Sequence, residues 1–363
     1  MKKRNLTPVY ITAAIIFIVL YIILAAHPLG KEYCFSPDWK INVNAADNES
    51  TSDEDSSNPI PLTEQLLHFK LGQTIGYFTK DGKIALSKSF PAKASISDSY
   101  YSLYNSEAQD IPFYNSRGNK AGTINTSGFP FFEDDRIYIF LPGGCSFSYC
   151  NHTGGVEWTC ESTIPITAFS SNKNYVSAGY ADGSIKVMDN QNGKVEISFA
   201  PGGSDNPVLL GLDISPNGEY VASISGLNKQ RFVLAHKEEN QPKILFHTFL
   251  SSDLHRRTFV KFSNDGQRVF YNYENHLGIY DLQKQKNYSI RIDSKILSME
   301  ETDDLFFLLG KKDNIYTVYI IERTNVLEGY FSFEADSAFI QTCDNYLFTG
   351  KDDTISRITI SKE

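Results

Sequence analysis

From about residue 166 to the C-terminus the chain repeats one phrase, and that repetition restricts its fold more than any other feature. The first copy runs Ile166-Thr167-Ala168-Phe169-Ser170, then Tyr175-Val176-Ser177-Ala178-Gly179, then Ala181-Asp182-Gly183-Ser184-Ile185-Lys186-Val187-Met188-Asp189. The second carries Leu212-Asp213-Ile214-Ser215-Pro216-Asn217-Gly218-Glu219-Tyr220-Val221-Ala222-Ser223. The third carries Val260-Lys261-Phe262-Ser263-Asn264-Asp265-Gly266-Gln267-Arg268-Val269-Phe270 and continues through Leu277-Gly278-Ile279-Tyr280-Asp281. Fourth and fifth copies start near Ile296 and Phe339. In each, an apolar run reads as a buried strand and an alternating run returns, while Asp-Gly or Asn-Gly in the first three copies supplies the positive φ of a tight hairpin. The expected turn residues are Asp182 with Gly183, Asn217 with Gly218, Asp265 with Gly266 and, earlier in the chain, Asp81 with Gly82.

A unit of this kind is a small antiparallel sheet that cannot cover both of its faces alone. Such units must stack, and a period near 40 to 45 residues marks a ring of blades among repeat folds. Phe169, Ile214 and Phe262 are spaced 45 and 48 residues apart. The expected fold is therefore all-β, a β-propeller over residues 63–363. Dividing that length by the period gives about seven four-stranded blades, two of them irregular and N-terminal to residue 166. The segment Leu66 to Leu71 is expected to add a strand to the last blade and close the ring, which removes exposed edges.

The phrase Ser215-Pro216-Asn217-Gly218-Glu219-Tyr220-Val221-Ala222 resembles the inner hairpin of WD-repeat propellers, and Ala181 to Asp189 resembles a strand phrase shared with quinoprotein-like propellers. Met188-Asp189 and Tyr280-Asp281 stand where the Trp-Asp pair of the WD family would be. The resemblance implies a protein-binding or scaffold role. Quinone-dependent propeller enzymes carry tryptophan in most blades, whereas this chain has two in all, Trp39 and Trp158.

Ahead of the repeats, Met1-Lys2-Lys3-Arg4 precedes eighteen uncharged residues from Val9 to Ala26. As a helix these would span roughly 27 Å, close to the ~30 Å of a bilayer core. Large residues at the −3 positions of possible cuts disfavour a cleaved signal peptide. The expectation is a basic tail (1–8), a signal-anchor helix (9–27) and an acidic, flexible spacer (28–62) that includes Asn44 to Pro59. With the positive charge on the N-terminal side, the tail would be cytoplasmic and the propeller extracytoplasmic, on a single-pass cell-membrane protein.

Net charge is −9, and no basic face is apparent, so nucleic acid is not an expected partner. The one basic run, His255-Arg256-Arg257, reads as a solvated loop. Translocation would permit disulfides. Among five cysteines, Cys145 and Cys160 would face each other if Asn151 to Gly154 form a hairpin turn, which makes them the preferred bridge, with free thiols as the alternative. His152 and the clustered cysteines fit no standard zinc spacing. No nucleophile elbow, phosphate loop or paired metal-binding histidine occurs. The sequence thus predicts no catalytic residue, cofactor or metal, and a non-enzymatic interaction module bound to a protein of the cell envelope. The alternative is an extracytoplasmic enzyme or small-ligand sensor using the propeller channel.

Overall fold

In a computed structural model of the 363-residue chain, the described residues are 7–25, 32–44, 60–105, 109–238, 241–252 and 254–362, excluding the side chains of 7–9 and 22–25. They form eight antiparallel sheets, one more than the seven expected. Blade 1 has three strands (Leu66–Leu71, Thr74–Thr79, Ile84–Ser89); blades 2 to 7 have four each, starting at Lys93, Phe129, Ile166, Leu209, Val260 and Lys295. Blade 8 takes Ala338–Cys343, Tyr346–Lys351 and Thr354–Lys362 from the C-terminus and its outermost strand from Tyr33–Asn42. Within blades 2 to 7 strands pair in sequence order, so each blade is a meander.

The ring is held by burial between blades. Eight buried apolar clusters occur among the described residues, one at each blade-to-blade junction. Between blades 5 and 6, for example, the Phe232 and Tyr271 rings stack at 3.9 Å and 9°. Tyr271 lies flat because its cross-strand partner is Gly278, where a Cβ would stand 2.1 Å from the ring. Each buried aromatic side chain of this kind contributes about 2 to 3 kcal/mol through area removed from water.

Three expectations need correction. First, the closing strand is not Leu66–Leu71, which starts blade 1, but Tyr33–Asn42, a segment inside the stretch expected as spacer. It pairs antiparallel with the C-terminal strand from Tyr33↔Lys362 to Asn42↔Thr354, with a bulge between Pro37 and Trp39. The bulge breaks the period-2 alternation that marks strands. Trp39 packs on Phe348 and beneath the Arg357 guanidinium, which also donates to Asp38 at 2.8 Å.

Second, the helix in this stretch, α1, spans Thr7–Ala25. Among the described residues no helix is long and apolar enough to cross a membrane. The single-pass anchor over 9–27 is thereby overturned, and the extracytoplasmic placement deduced from it goes with it. Of the acidic stretch Asn44 to Pro59, everything after Asn44 lies outside the described residues.

Third, the turns are not the expected pairs of positive-φ residues. Only the glycines are left-handed, at φ 88° (Gly82), 87° (Gly183), 73° (Gly218) and 67° (Gly266). Each donates its N–H to the carbonyl three residues back, on Thr79, Tyr180, Ser215 and Ser263 respectively, the pattern of a type I turn ending in a glycine bulge. The preceding Asp182, Asn217 and Asp265 use their side-chain oxygens to accept the N–H two residues ahead. Asp81 instead accepts from Arg357 at 3.4 Å.

Because the closing strand joins the two ends of the ring, Trp39→Ala is expected to cost about 2 to 3 kcal/mol. Urea unfolding followed by tyrosine fluorescence checks this; a loss below about 0.5 kcal/mol, the scale of ordinary surface substitutions, would mean that the ring does not depend on this strand.

Candidate functional site

First strands of successive blades touch one another around the axis, including blade 8 against blade 1, and so line a central channel. A four-stranded meander returns the chain to the end it started from, so the inner strands run in one direction. Their C-terminal ends collect at one end of the channel.

A belt of polar side chains occupies that end. Blade 3 contributes Glu133, blade 4 Ser170 and Ser171, blade 5 Asp213, blade 6 Lys261, blade 7 Glu300 and Glu301, blade 8 Gln341 and Thr342, and blade 1 His68. Asp98 sits just beyond the inner strand of blade 2. The belt ties all eight junctions. Ser171 Oγ donates to Glu133, Ser170 Oγ donates to Asp213 Oδ1, and the Phe262 N–H donates to Asp213 Oδ2 at 2.6 Å. The Asn264 N–H donates to Glu301 Oε1, and Thr342 donates to Glu300 Oε2 from its N–H at 3.3 Å and its hydroxyl at 3.4 Å. Gln341 Nε2 lies 3.2 Å from His68 Nδ1, which is 2.6 Å from Asp98 Oδ1, and Ser97 Oγ donates to the Asp134 carbonyl at 2.6 Å.

Enclosure shapes the charges. Burial pushes Glu300 up to about 7, opposed by the Thr342 hydrogen bonds and by His68. Burial also raises Glu133, against its hydrogen bond from Ser171. Asp98 ends below the ordinary carboxylate range: burial acts to raise it, and the hydrogen bond and charge of His68 outweigh that. Lys261 is shifted upward, chiefly by Asp213, then with Glu133 and others adding, so its ammonium is firmly charged despite being shielded from bulk water.

Beside the belt the channel widens into a cavity of about 390 Å³, lined by Glu133, Ser170, Asp213 and Lys261 at the belt end and by Phe131, Leu212 and Leu297. Arg257, Thr258 and Lys295, which precede or open the inner strands, form the other end.

None of the turn residues or cysteines singled out from sequence lies in this cavity, whereas Arg257, from the basic run read as a solvated loop, does. The turn residues sit at strand connections. Cys145 and Cys160 do not face each other: Cys160 is opposite Phe147, while Cys145 lies in the preceding turn and donates to the Gly143 and Thr163 carbonyls. All five cysteines are free thiols, so the expected bridge is withdrawn. Burial pushes the Cys150 thiol up to about 12, which makes it inert. No group of three or more His, Cys, Asp or Glu among the described residues could hold a metal ion. The signal for the channel was available in the repeat, since Asp213 and Lys261 each stand one residue before the aligned Ile214 and Phe262.

Comparison with known proteins agrees with this architecture. A family model described as "beta-propeller protein" matches residues 1–363. An uncharacterized protein of Treponema pallidum (strain Nichols) is 26% identical over 363 residues, covering 99% of this chain and 96% of its own. Among solved structures, BamB from Moraxella catarrhalis matches with a TM-score of 0.57 at 12% identity, over 90% of this chain and 100% of its own. Saccharomyces cerevisiae Sqt1 matches at 0.61 and 10% identity, over 83% and 94%. The computationally designed protein Ika8 matches at 0.58 and 13%, over 82% and 96%. Identities this low speak to fold alone.

Glu300 gives a pH prediction. Its pKa is raised from 4.5 to about 7, so between those values the folded state keeps a proton that the unfolded chain releases. The stability carried by the neutral carboxyl is complete below about pH 4.5 and is lost as pH rises through 7. Glu300→Gln should therefore gain on the unmodified chain as pH rises, by on the order of 1 to 3 kcal/mol at pH 8 relative to pH 4.5. Denaturant melts at the two pH values test this; a gap that does not change with pH refutes it.

Proposed function

The chain belongs to the β-propeller protein family, and on that premise we propose that it is a non-catalytic protein-interaction module that captures an extended segment of a partner along the outer edge of blade 5. The channel carboxylates support the non-catalytic part. Both oxygens of Asp213 accept hydrogen bonds from neighbouring blades, and Glu133, Glu300 and Glu301 are likewise engaged in the belt. Carboxylates whose oxygens accept from neighbouring blades are held as ties of the ring rather than presented to a substrate.

The observation that carries the interaction part is the outermost strand of blade 5, Lys243–Phe249. It pairs with Arg231–His236 on one side and, among the described residues, has no strand on the other. A propeller ring protects its inner edges and leaves the outer ones, which proteins commonly guard with charge. Other outer strands of this chain follow that rule. Lys286–Arg291 in blade 6 exposes Lys286, Asn287, Ser289 and Arg291, and Leu327–Glu334 in blade 7 exposes Glu328, Ser332 and Glu334 around the single Tyr330. Lys243–Phe249 instead exposes Ile244, Leu245 and Phe249, the last 58% accessible. A bulge opposite Leu234 and Ala235 leaves Leu245 as the extra, outward residue. Free backbone donors and acceptors beside three exposed apolar side chains are what an added strand uses for affinity and for specificity.

A photo-cross-linking side chain placed at position 245 in the native host, with position 289 as control, tests this. One discrete adduct at 245, absent at 289 and abolished by Phe249→Glu, is the expected outcome. Phe249→Glu itself should shift stability by less than about 0.5 kcal/mol. Absence of an adduct at 245, or the same adduct from 289, defeats the proposal.

A further inference from the structure

The channel cavity offers a ligand mainly hydrogen-bond donors. Its acceptors are largely engaged: Asp213 receives Ser170 Oγ and the Phe262 N–H, and Glu133 receives Ser171 Oγ. Its donors are not. Lys261, Arg257 and Lys295 all line the cavity, and none has a hydrogen bond or ion pair among the described residues. Thr258 is 6% exposed, and its Oγ1 is buried without a partner. That hydroxyl is held in place: the Thr258 N–H donates to the Leu210 carbonyl at 2.8 Å, and Gly211 leaves room beside it, since a Cβ there would stand 2.7 Å from Oγ1. A buried polar group left unpaired costs free energy that a ligand atom recovers.

These groups also explain the basic run His255-Arg256-Arg257, which is not the freely solvated loop its composition suggests. His255 Nε2 lies 2.9 Å from the Leu227 carbonyl, which pins the segment to blade 5. One residue later an Arg256 guanidinium nitrogen is buried without a partner, and Arg257 reaches the cavity. Between the cations the wall is apolar, made by Phe131, Leu212, Phe259 and Leu297.

The geometry points to this cavity as a binding site for a small organic anion with an apolar body, its charged head held by Lys261, Arg257, Lys295 and the Thr258 hydroxyl and its body against Phe131, Leu212 and Leu297. The size fits, because about 390 Å³ lies in the range of small-molecule sites. Lys261 already answers the charges of Asp213 and Glu133, so Arg257 and Lys295 are the cations that an ammonium or a neutral polar ligand would leave unmatched. A ligand without an apolar body would leave the aromatic and leucine wall wet. The site is remote from the exposed edge of blade 5 in chemistry and in residues, so it stands or falls separately from the interaction proposed there.

Calorimetric titration of the full chain tests it with octanoate and octyl phosphate as probes, against octylammonium, 1-octanol, acetate and inorganic phosphate. Expected is one site for octanoate or octyl phosphate, at least tenfold tighter than for any of the other four. Whichever of the two binds more tightly shows whether the natural head is a carboxylate or a phosphate. Arg257→Ala with Lys295→Ala, both at exposed positions and therefore compatible with folding, should weaken it at least tenfold. Thr258→Val, which keeps the volume and removes the hydroxyl, should weaken it severalfold, and Lys286→Ala on the outer strand of blade 6 should leave it unchanged. Binding that is absent, that does not distinguish octanoate and octyl phosphate from 1-octanol, or that survives the Arg257 and Lys295 substitutions overturns the assignment.

Discussion

Everything in this molecule depends on the burial of one blade's face against the next. A four-stranded sheet has two faces and no helix to cover either, so each blade can bury its apolar side chains only between two neighbours. The eight inter-blade clusters are the consequence. Stacking alone does not determine a ring, because a row of blades would leave two bare faces at its ends. Closure brings Leu67, Phe69 and Phe78 of blade 1 against Phe348 and Ile355 of blade 8, with Trp39 and Ile41 of the closing strand alongside. The strand Tyr33–Asn42 therefore does two things at once: it pairs with the C-terminal strand, and it covers the last junction.

The circle at the end of the channel answers a second need. Twisted blades packed only by non-directional apolar contact could slide on one another, whereas hydrogen bonds from one inner strand to the next fix their register. The bonds from Ser170 to Asp213 and from Thr342 to Glu300 are of this type. Placing carboxylates there is costly in desolvation, and the upward shift of Glu300 and Glu133 is the visible sign of that cost. Lys261 offsets part of it without making a close ion pair with any of them.

How much of this could be read from the sequence depended on which residues make the turns. Blades 4, 5 and 6 were legible because Gly183, Gly218 and Gly266 mark their hairpins in a fixed phrase. Blades 2 and 3 were not. Blade 3 turns through Asp134 at φ 52°, an aspartate in the left-handed region that no glycine announces, and blades 7 and 8 use Asp313, Asp344 and Asp352 in the same way. The closing strand was hidden for another reason. Its alternation of Phe35, Trp39 and Ile41 is broken by the bulge at Pro37, and Asp38 and Lys40 give it the composition of a linker. Dividing the domain length by a 40- to 45-residue period leads to seven rather than eight, because the early blades are shorter than that: the first four start at Leu66, Lys93, Phe129 and Ile166. A cavity residue such as Thr258 had no signal at all, since it owes its role to neighbours in blades 5 and 7 that the sequence places far away, while Arg257 stood out only as part of a basic run.

The eighth blade has a consequence along the axis. With junctions of similar thickness, adding a blade lengthens the circumference and so widens the central channel. Small side chains can fill a narrow axis, but a wider one must be spanned by long ones or left open. Both outcomes are present here. Across blades 7, 8 and 1 the belt uses Glu300, which accepts from Thr342, and Gln341, which reaches His68. Across blades 3 to 7 the inner strands instead leave a cavity, and Lys261 is the long side chain that reaches into it from blade 6. An interior that is polar, charged and partly empty at its centre follows from a ring one blade wider than its repeat period suggests.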